Sequence, residues 1–257
     1  NGTINTTAAP YAAGKNKIIN GDFRFNQRAF TSSTTDLTYG FDRWQMFTFT
    51  GNGTTTYSAQ TFTPGAAPVA GYEGTNFARL VTTGQTGAGP YSFLAQKIED
   101  VRTFAGQTIT YSFWAKAATG TPKVAIAANQ NFGTGGSPSA TVTTNGGTVT
   151  LSTSWARYSV SFAVPSISGK TIGTTANTSH LRLDFWVSSG TDYPQGQSIG
   201  IQSNTFDFWG AQAENGSTAT AFQTATGTIQ GELAACMRYY QTSLPPTSST
   251  HSLLTCQ

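Results

Sequence analysis

Gln107-Thr-Ile-Thr-Tyr-Ser-Phe-Trp-Ala-Lys-Ala-Ala118 decides the fold class. Ile109, Tyr111 and Phe113 share one parity, while Thr110, Ser112, Trp114 and Lys116 share the other. That two-residue alternation belongs to a strand with one face on a core and one toward water. Trp114 breaks the pattern, because the largest side chain available stands on the polar face.

The same design recurs outward from this strand. Tyr158, Val160, Phe162 and Val164 oppose Arg157, Ser159 and Ser161; Leu181, Leu183, Phe185 and Val187 oppose Arg182, Asp184 and Trp186; Phe206 and Phe208 oppose Asp207 and Trp209. Around Phe41 to Phe47 the apolar residues occupy both parities, which predicts a strand buried on both sides. Thr54 to Phe62, Phe77 to Thr82, Phe93 to Ile98 and Lys123 to Ala128 read as further strands, and Ala140 to Thr144 with Thr148 to Leu151 as a hairpin around Asn145-Gly146-Gly147. Strands joined by Gly/Ser/Thr loops, with no helical period before residue 228, predict an all-β protein, an antiparallel jelly-roll β-sandwich.

Gln230 to Gln241 then reads as one short helix, with Leu233, Met237 and Tyr240 at helical spacing, and Pro245-Pro246 ends it. The expected organisation is a linker or arm over 1–16, the sandwich over 17–222, a helical junction over 223–242 and the start of a further β module over 243–257. The chain opens on Asn1 without Met and stops at Gln257 inside that new module, so a segment of a longer protein is expected.

Only 10% of the 257 residues are charged, and Gly, Thr, Ser, Asn and Gln fill the surface instead, a composition of extracellular or particle surfaces. The net charge of +3 is scattered, with no Lys/Arg cluster to track a phosphate backbone, so nucleic acid is not an expected partner. No apolar run is long enough to cross a bilayer, so no membrane insertion is expected. Cys236 and Cys256 read as two reduced structural thiols, and with two His in the chain a zinc site has almost no material. No cofactor and no metal are implied, although Asp22, Asp42 or Glu99 with loop carbonyls is the donor type calcium takes.

Four segments carry a resemblance: Asn16-Lys-Ile-Ile-Asn-Gly-Asp-Phe-Arg-Phe-Asn-Gln-Arg28, Phe41-Asp-Arg-Trp44, Phe208-Trp-Gly-Ala-Gln-Ala-Glu-Asn-Gly-Ser-Thr-Ala-Thr-Ala-Phe222 and Glu232-Leu-Ala-Ala-Cys-Met-Arg-Tyr-Tyr240. In this order they resemble the recurring modules of tailed-bacteriophage virion proteins, the tail fibres, head fibres and related appendages. Between them, Ser112-Phe-Trp-Ala-Lys116 and Ser154-Trp-Ala-Arg-Tyr-Ser-Val-Ser-Phe162 are similar to jelly-roll carbohydrate-binding modules. The resemblance implies a homotrimer on a virion surface, packed against other virion proteins and contributing to host attachment. Ala235 and Met237 stand where that resemblance leads one to expect more polar residues.

Catalysis finds little support. His180 and His251 are the only histidines, no Gly-x-Ser-x-Gly elbow precedes a helix, and paired carboxylates for a glycan depolymerase reduce to Asp184 and Asp207. A carboxylate on the outer face of a sheet is more often a partner for a cation such as Arg182 or Lys116. A non-enzymatic role is therefore expected, with binding by Trp114, Trp186 and Trp209 beside Lys116, Asp184 and Asp207. If their strands share a sheet, these form one aromatic surface, which meets either a host-surface glycan or a neighbouring subunit. A purely architectural capsid or tail part is the remaining alternative.

Overall fold

Phe185 is where the two layers of the molecule meet. Its ring lies 4.9 Å from Tyr111, 4.6 Å from Phe113, 4.9 Å from Phe208 and 5.9 Å from Trp44, and all five are fully buried. The computed structural model describes residues 13–241. Its strands are β1 (Ser32–Ser33), β2 (Trp44–Phe49), β3 (Thr54–Thr61), β4 (Asn76–Thr83), β5 (Tyr91–Ile98), β6 (Thr108–Ala117), β7 (Lys123–Asn131), β8 (Val142–Thr150), β9 (Ala156–Ala163), β10 (His180–Ser189) and β11 (Asn204–Asn215). They form a six-stranded sheet in the order β1-β3-β4-β11-β6-β9 and a five-stranded sheet in the order β2-β5-β10-β7-β8. Every pairing is antiparallel, and the sheets pack face to face as a jelly-roll sandwich. No described helix is long and apolar enough to cross a membrane.

The predicted inward residues of β6, Ile109, Tyr111 and Phe113, are all in the core. Two local readings need correction. Asn145-Gly146-Gly147 is not a hairpin turn: β8 runs straight through it as one strand against β7, with Asn145 opposite Ala127 and Gly147 opposite Ile126. Gly146 is the extra residue of a β-bulge, and a Cβ there would meet the Phe162 ring at 2.7 Å. A second bulge lies in β11, where Gly210 has φ +63° and the register shifts between Trp209 and Gln212. Beyond it the even residues Gln212 and Glu214 take the outward side that Asp207 and Trp209 held before.

The helix α1 (Ile229–Met237) is shorter than predicted and turned differently. Thr228 caps it by accepting from the Gly231 N–H, and its buried side carries Glu232 and Cys236, not Leu233 and Met237. The free thiol of Cys236 is buried, and Cys256 lies outside the described residues, as do His251 and the segment expected to begin a further module.

The boundary expected at residue 16 also shifts, because Asn16 is part of the packed unit. Its amide donates to the carbonyls of Ala211 (3.2 Å) and Gln223 (2.9 Å), and its Oδ1 accepts from the N–H groups of Ile18 and Ala213. Asn20 does the same one turn on. At φ +56°, a conformation Asn tolerates better than most residues, it donates from Nδ2 to the carbonyls of Phe25 and Asp42. Its N–H reaches Glu232 Oε2 at 2.9 Å and its carbonyl accepts from Trp44 Nε1 at 2.9 Å. The Asp42 carboxylate in turn accepts from the Gln27 amide (2.6 Å) and Arg28 (3.2 Å), and Gln27 donates to the Tyr240 carbonyl. The four sequence segments of the phage resemblance thus meet at one hydrogen-bonded junction that ties residues 16–28 and 232–240 to the sandwich.

Glu232 is 1% exposed and satisfies two backbone donors, Asn20 N–H and Thr226 N–H. Removing it strands both donors, so Glu232→Ala is expected to lower unfolding stability by about 2–4 kcal/mol. Glu232→Gln, which keeps one acceptor, should lose about half of that. Urea unfolding midpoints at constant m-value check both.

Candidate functional site

The six residues singled out in the sequence do not form one surface. Trp114, Lys116, Asp207 and Trp209 lie on the outer face of the six-stranded sheet, where Trp209 pairs with Trp114 and Asp207 with Lys116. Asp184 and Trp186 lie on β10, on the outer face of the five-stranded sheet. The two groups are on opposite sides of the sandwich, because the chain changes sheets between β10 and β11. Asp184 and Asp207 therefore do not face each other across a cleft.

The first group is covered by its own chain. Glu214 accepts from the Thr220 N–H (2.9 Å), the Thr220 hydroxyl (2.7 Å) and the Gln212 amide (2.7 Å), and Gln212 Oε1 accepts from the Gln223 N–H. These bonds fold residues 215–222 back over β11 and β6. Phe222 is thereby laid 5.2 Å from Trp209 and 5.9 Å from Trp114, while Tyr72 and Phe62 close the other sides of Trp209. Trp209 is fully buried, Trp114 half-buried with Arg157 over its ring at 4.7 Å. Thr110 and Ser112, expected to face water, are buried beneath the same segment. Asp207 is held by a bidentate Arg79 (2.6 and 2.9 Å) and by Lys116 at 3.7 Å. Lys116 also lies over Trp155 at 5.4 Å, and Trp44 is a core residue.

The second group underlies a more open face. Phe47 of β2, Phe93 of β5 and Trp186 of β10 form a stacked ladder across three neighbouring strands, with ring separations of 4.8 and 4.3 Å. Ala95, Ala125 and Ala127 complete its floor, and Tyr91, Tyr193 and Ile199 pack against it half-exposed. The turn at Pro194–Gly196 is fixed on this face by Gln197, which donates to the Ile126 carbonyl, and by Asn145, which donates to the Pro194 carbonyl. Beside the ladder, Asp184 is fully buried and accepts two bonds from Arg182 (2.7 and 3.0 Å), one from the Asn129 amide (2.7 Å) and one from Trp186 Nε1 (3.3 Å). Burial pushes its carboxyl up from the ordinary range, and the Arg182 charge and these bonds work against that rise. The Arg182 guanidinium spreads over Phe47 at 4.8 Å and Phe93 at 5.0 Å.

Sequence reasoning missed Phe47, Tyr91, Lys97 and Tyr193, which share this face. Phe47 and Lys97 lie in strands that the alternation predicts, and only the pairing of β2, β5 and β10 brings Phe47 beside Phe93 and Trp186, and Lys97 beside Arg182. Tyr193 sits in an irregular loop without periodicity. His180 is half-buried, its Nδ1 at 3.1 Å from the Thr178 carbonyl, and burial lowers its basicity. Among the described residues no three His, Cys, Asp or Glu side chains gather as metal ligands. Two concavities, about 520 Å³ beside Lys15, Lys17 and Arg102 and about 450 Å³ beside Asp22, Tyr72 and Glu232, border the end junction, away from the five-stranded face.

No protein-family model matches this chain, and no curated protein matches it. Solved structures do. The enzymatically active domain of bacteriophage CBA120 tailspike protein 4 aligns over 80% of this chain at 12% identity, with a TM-score of 0.42. The chain spans 22% of that protein. The CBM22-1 xylan-binding domain from Paenibacillus barcinonensis Xyn10C aligns over 81% of this chain and 99% of its own length, at 11% identity and a TM-score of 0.41. A family 11 carbohydrate-binding module from Clostridium thermocellum, solved with a mixed-linked tetrasaccharide, covers 75% of this chain and 99% of its own, at 14% identity and a TM-score of 0.39.

Two variants test this site. Trp209→Ala empties a space enclosed by Tyr72, Phe62, Trp114 and Phe222 and is expected to cost about 3–5 kcal/mol of stability in denaturant unfolding. Burial pushes the Glu214 carboxyl up, but the bonds from Thr220, Gln212 and Lys15 outweigh it and hold the group below the usual range. A lowered folded-state value means that Glu214 stabilises the protein above its unfolded value of about 4.3, and that this share is lost as pH falls through the folded value. Glu214→Gln should therefore lower stability at pH 7 and flatten the acid side of the stability–pH curve, read by unfolding at a series of pH values.

Proposed function

We propose that this chain is a non-enzymatic, glycan-binding jelly-roll module of a bacteriophage virion appendage, a homotrimeric fibre-type subunit that contributes to host-surface recognition. The observation that carries the glycan reading is the aromatic ladder on the five-stranded sheet, bordered by half-exposed rings and fixed polar groups. Half-exposed Phe47, Tyr91 and Tyr193 offer apolar faces to the C–H side of a sugar, while Arg182, Thr143 and Asn145 offer hydrogen-bonding groups along the same strip. An open strip of this kind suits a polymer that passes across it. The tryptophans of the opposite face are occupied by Phe222, so that face is read as internal packing. The virion reading is supported by the four ordered sequence segments and by their meeting at one junction.

Affinity electrophoresis against a panel of bacterial capsular and lipopolysaccharide preparations tests the first part. Retardation by at least one preparation is expected, with an affinity about tenfold weaker in the double variant Tyr91→Ala/Tyr193→Ala. A panel without any retardation overturns the reading and leaves a purely architectural part; a double variant retarded like the parent overturns the assignment of binding to this face. Release of reducing sugar would favour the depolymerase instead. Light scattering should give three times the chain mass, and a monomer at working concentration would remove the trimer.

A further inference from the structure

Resting on that glycan-binding reading, we propose that the ligand of the five-stranded face is an acidic saccharide, a polymer whose sugars carry carboxylate, sulfate or phosphate groups, with Lys97 as the residue that meets the anion. Lys97 of β5 stands directly opposite Arg182 of β10, on the outer side of the sheet. Like charges in opposed positions destabilise a strand pair unless an anion lies between them. The carboxylate beside this pair on β10, Asp184, is fully buried, and its oxygens are taken by Arg182, Asn129 and Trp186. It balances Arg182 and leaves Lys97 over.

Among the described residues the Lys97 ammonium has no ion pair and no hydrogen bond; it rests over the Phe47 ring at 5.7 Å. A third cation lies behind it, since the Arg43 guanidinium donates to the Lys97 carbonyl and stacks on Tyr239 at 3.4 Å. His180 continues the same face of β10. Burial, and then Arg182 and Arg43, lower the basicity of Lys97, which is the condition that an incoming anion relieves. The arrangement places one uncompensated, half-buried positive charge within a side chain's reach of Phe47. A pyranose resting on that ring would present a ring substituent to the ammonium.

The test is an array of matched pairs: polygalacturonate and its methyl ester, sulfated and desulfated heparan, phosphorylated and dephosphorylated bacterial polysaccharide. The acidic member of at least one pair is expected to bind about tenfold more tightly, with the preference fading in high salt. The responding pair identifies the anion. Lys97→Gln should abolish the preference and Lys97→Arg should keep most of it, both with an unchanged melting temperature. Equal binding of both members of every pair, or a preference that survives in Lys97→Gln, overturns this proposal and leaves the glycan-binding reading standing. No binding to any member, acidic or neutral, overturns both.

Discussion

The constraint that the rest of the structure depends on is the satisfaction of buried polar groups around Asn20. Both its backbone groups, its amide and its side-chain oxygen have partners, drawn from Phe25, Asp42, Trp44 and Glu232. A buried donor or acceptor left without a partner costs about 1–3 kcal/mol, comparable to a sizeable share of a domain's whole stability. Trp44 and Glu232 meet Asn20 through their side chains, while Phe25 and Asp42 meet it through backbone groups, so the junction depends on the side chains of Asn20, Trp44 and Glu232. The demands on the segments around residues 16–28 and 232–240 are therefore atom by atom, while the strands between them need only alternate. Asn16 extends the same logic to the bulged end of β11, where Ala211 and Ala213 offer backbone groups that the ladder does not use.

A two-sheet sandwich has two outer faces, and this chain treats them differently. Over the six-stranded sheet it returns residues 215–222, fastened by Glu214, and buries Trp209. An aromatic side chain of that size removes 150–250 Å² from contact with water, worth at most about 4–6 kcal/mol at 25 cal/mol per Å². A sugar arriving at that face would first have to displace Phe222 and forfeit much of this, so its stacking energy does not compete. Over the five-stranded sheet the loop around Tyr193 and Pro194–Gly196 returns, and it packs on the Trp186 and Tyr91 end of the ladder while Phe47 stays half-exposed. The openness of one face follows from the closure of the other, because the segment after β11 is spent on the side where its Gly210 bulge turns it.

Much of this was legible from residue alternation. Ile109, Tyr111, Phe113, Leu183, Phe185 and Phe208 are inward by parity and inward in space, since one-faced burial leaves a period of two in any sequence. Parity also says which residues point away from the core, but not whether a loop lies over them, and Trp209 and Trp186 are both outward and buried for that reason. Nor does parity say which strands share a sheet. Asp184 and Asp207 look equivalent along the chain and are separated by the whole thickness of the sandwich. The glycines misled in a specific way: Asn145-Gly146-Gly147 has turn composition, but Gly146 is required by the Phe162 ring beneath it, a contact fixed by residues distant in sequence. The helix was found from its formers and misoriented, because its buried positions are a carboxylate and a thiol, which no hydrophobic stripe reveals.

The junction and the open strip are mechanically one unit. Ile19, inside the first recurring segment, exchanges two hydrogen bonds with the Gln96 side chain, at 2.9 and 2.8 Å. Arg43, inside the second, holds the carbonyl of the next residue, Lys97, and is itself clamped on Tyr239 of the last. The β5 backbone that presents Lys97 is therefore positioned by the segments of the end junction, through Ile19, Arg43 and Tyr239. An opposed Lys97 and Arg182 would otherwise drift apart, since their repulsion is worth a few tenths to about 1 kcal/mol and the half-buried lysine stem has rotamer freedom to relieve it. Cation–π contact with Phe47 offsets a comparable amount. The strip is held in an electrostatically unbalanced arrangement by hydrogen bonds on its far side, so the segments of the end junction also prepare the face that we read as binding.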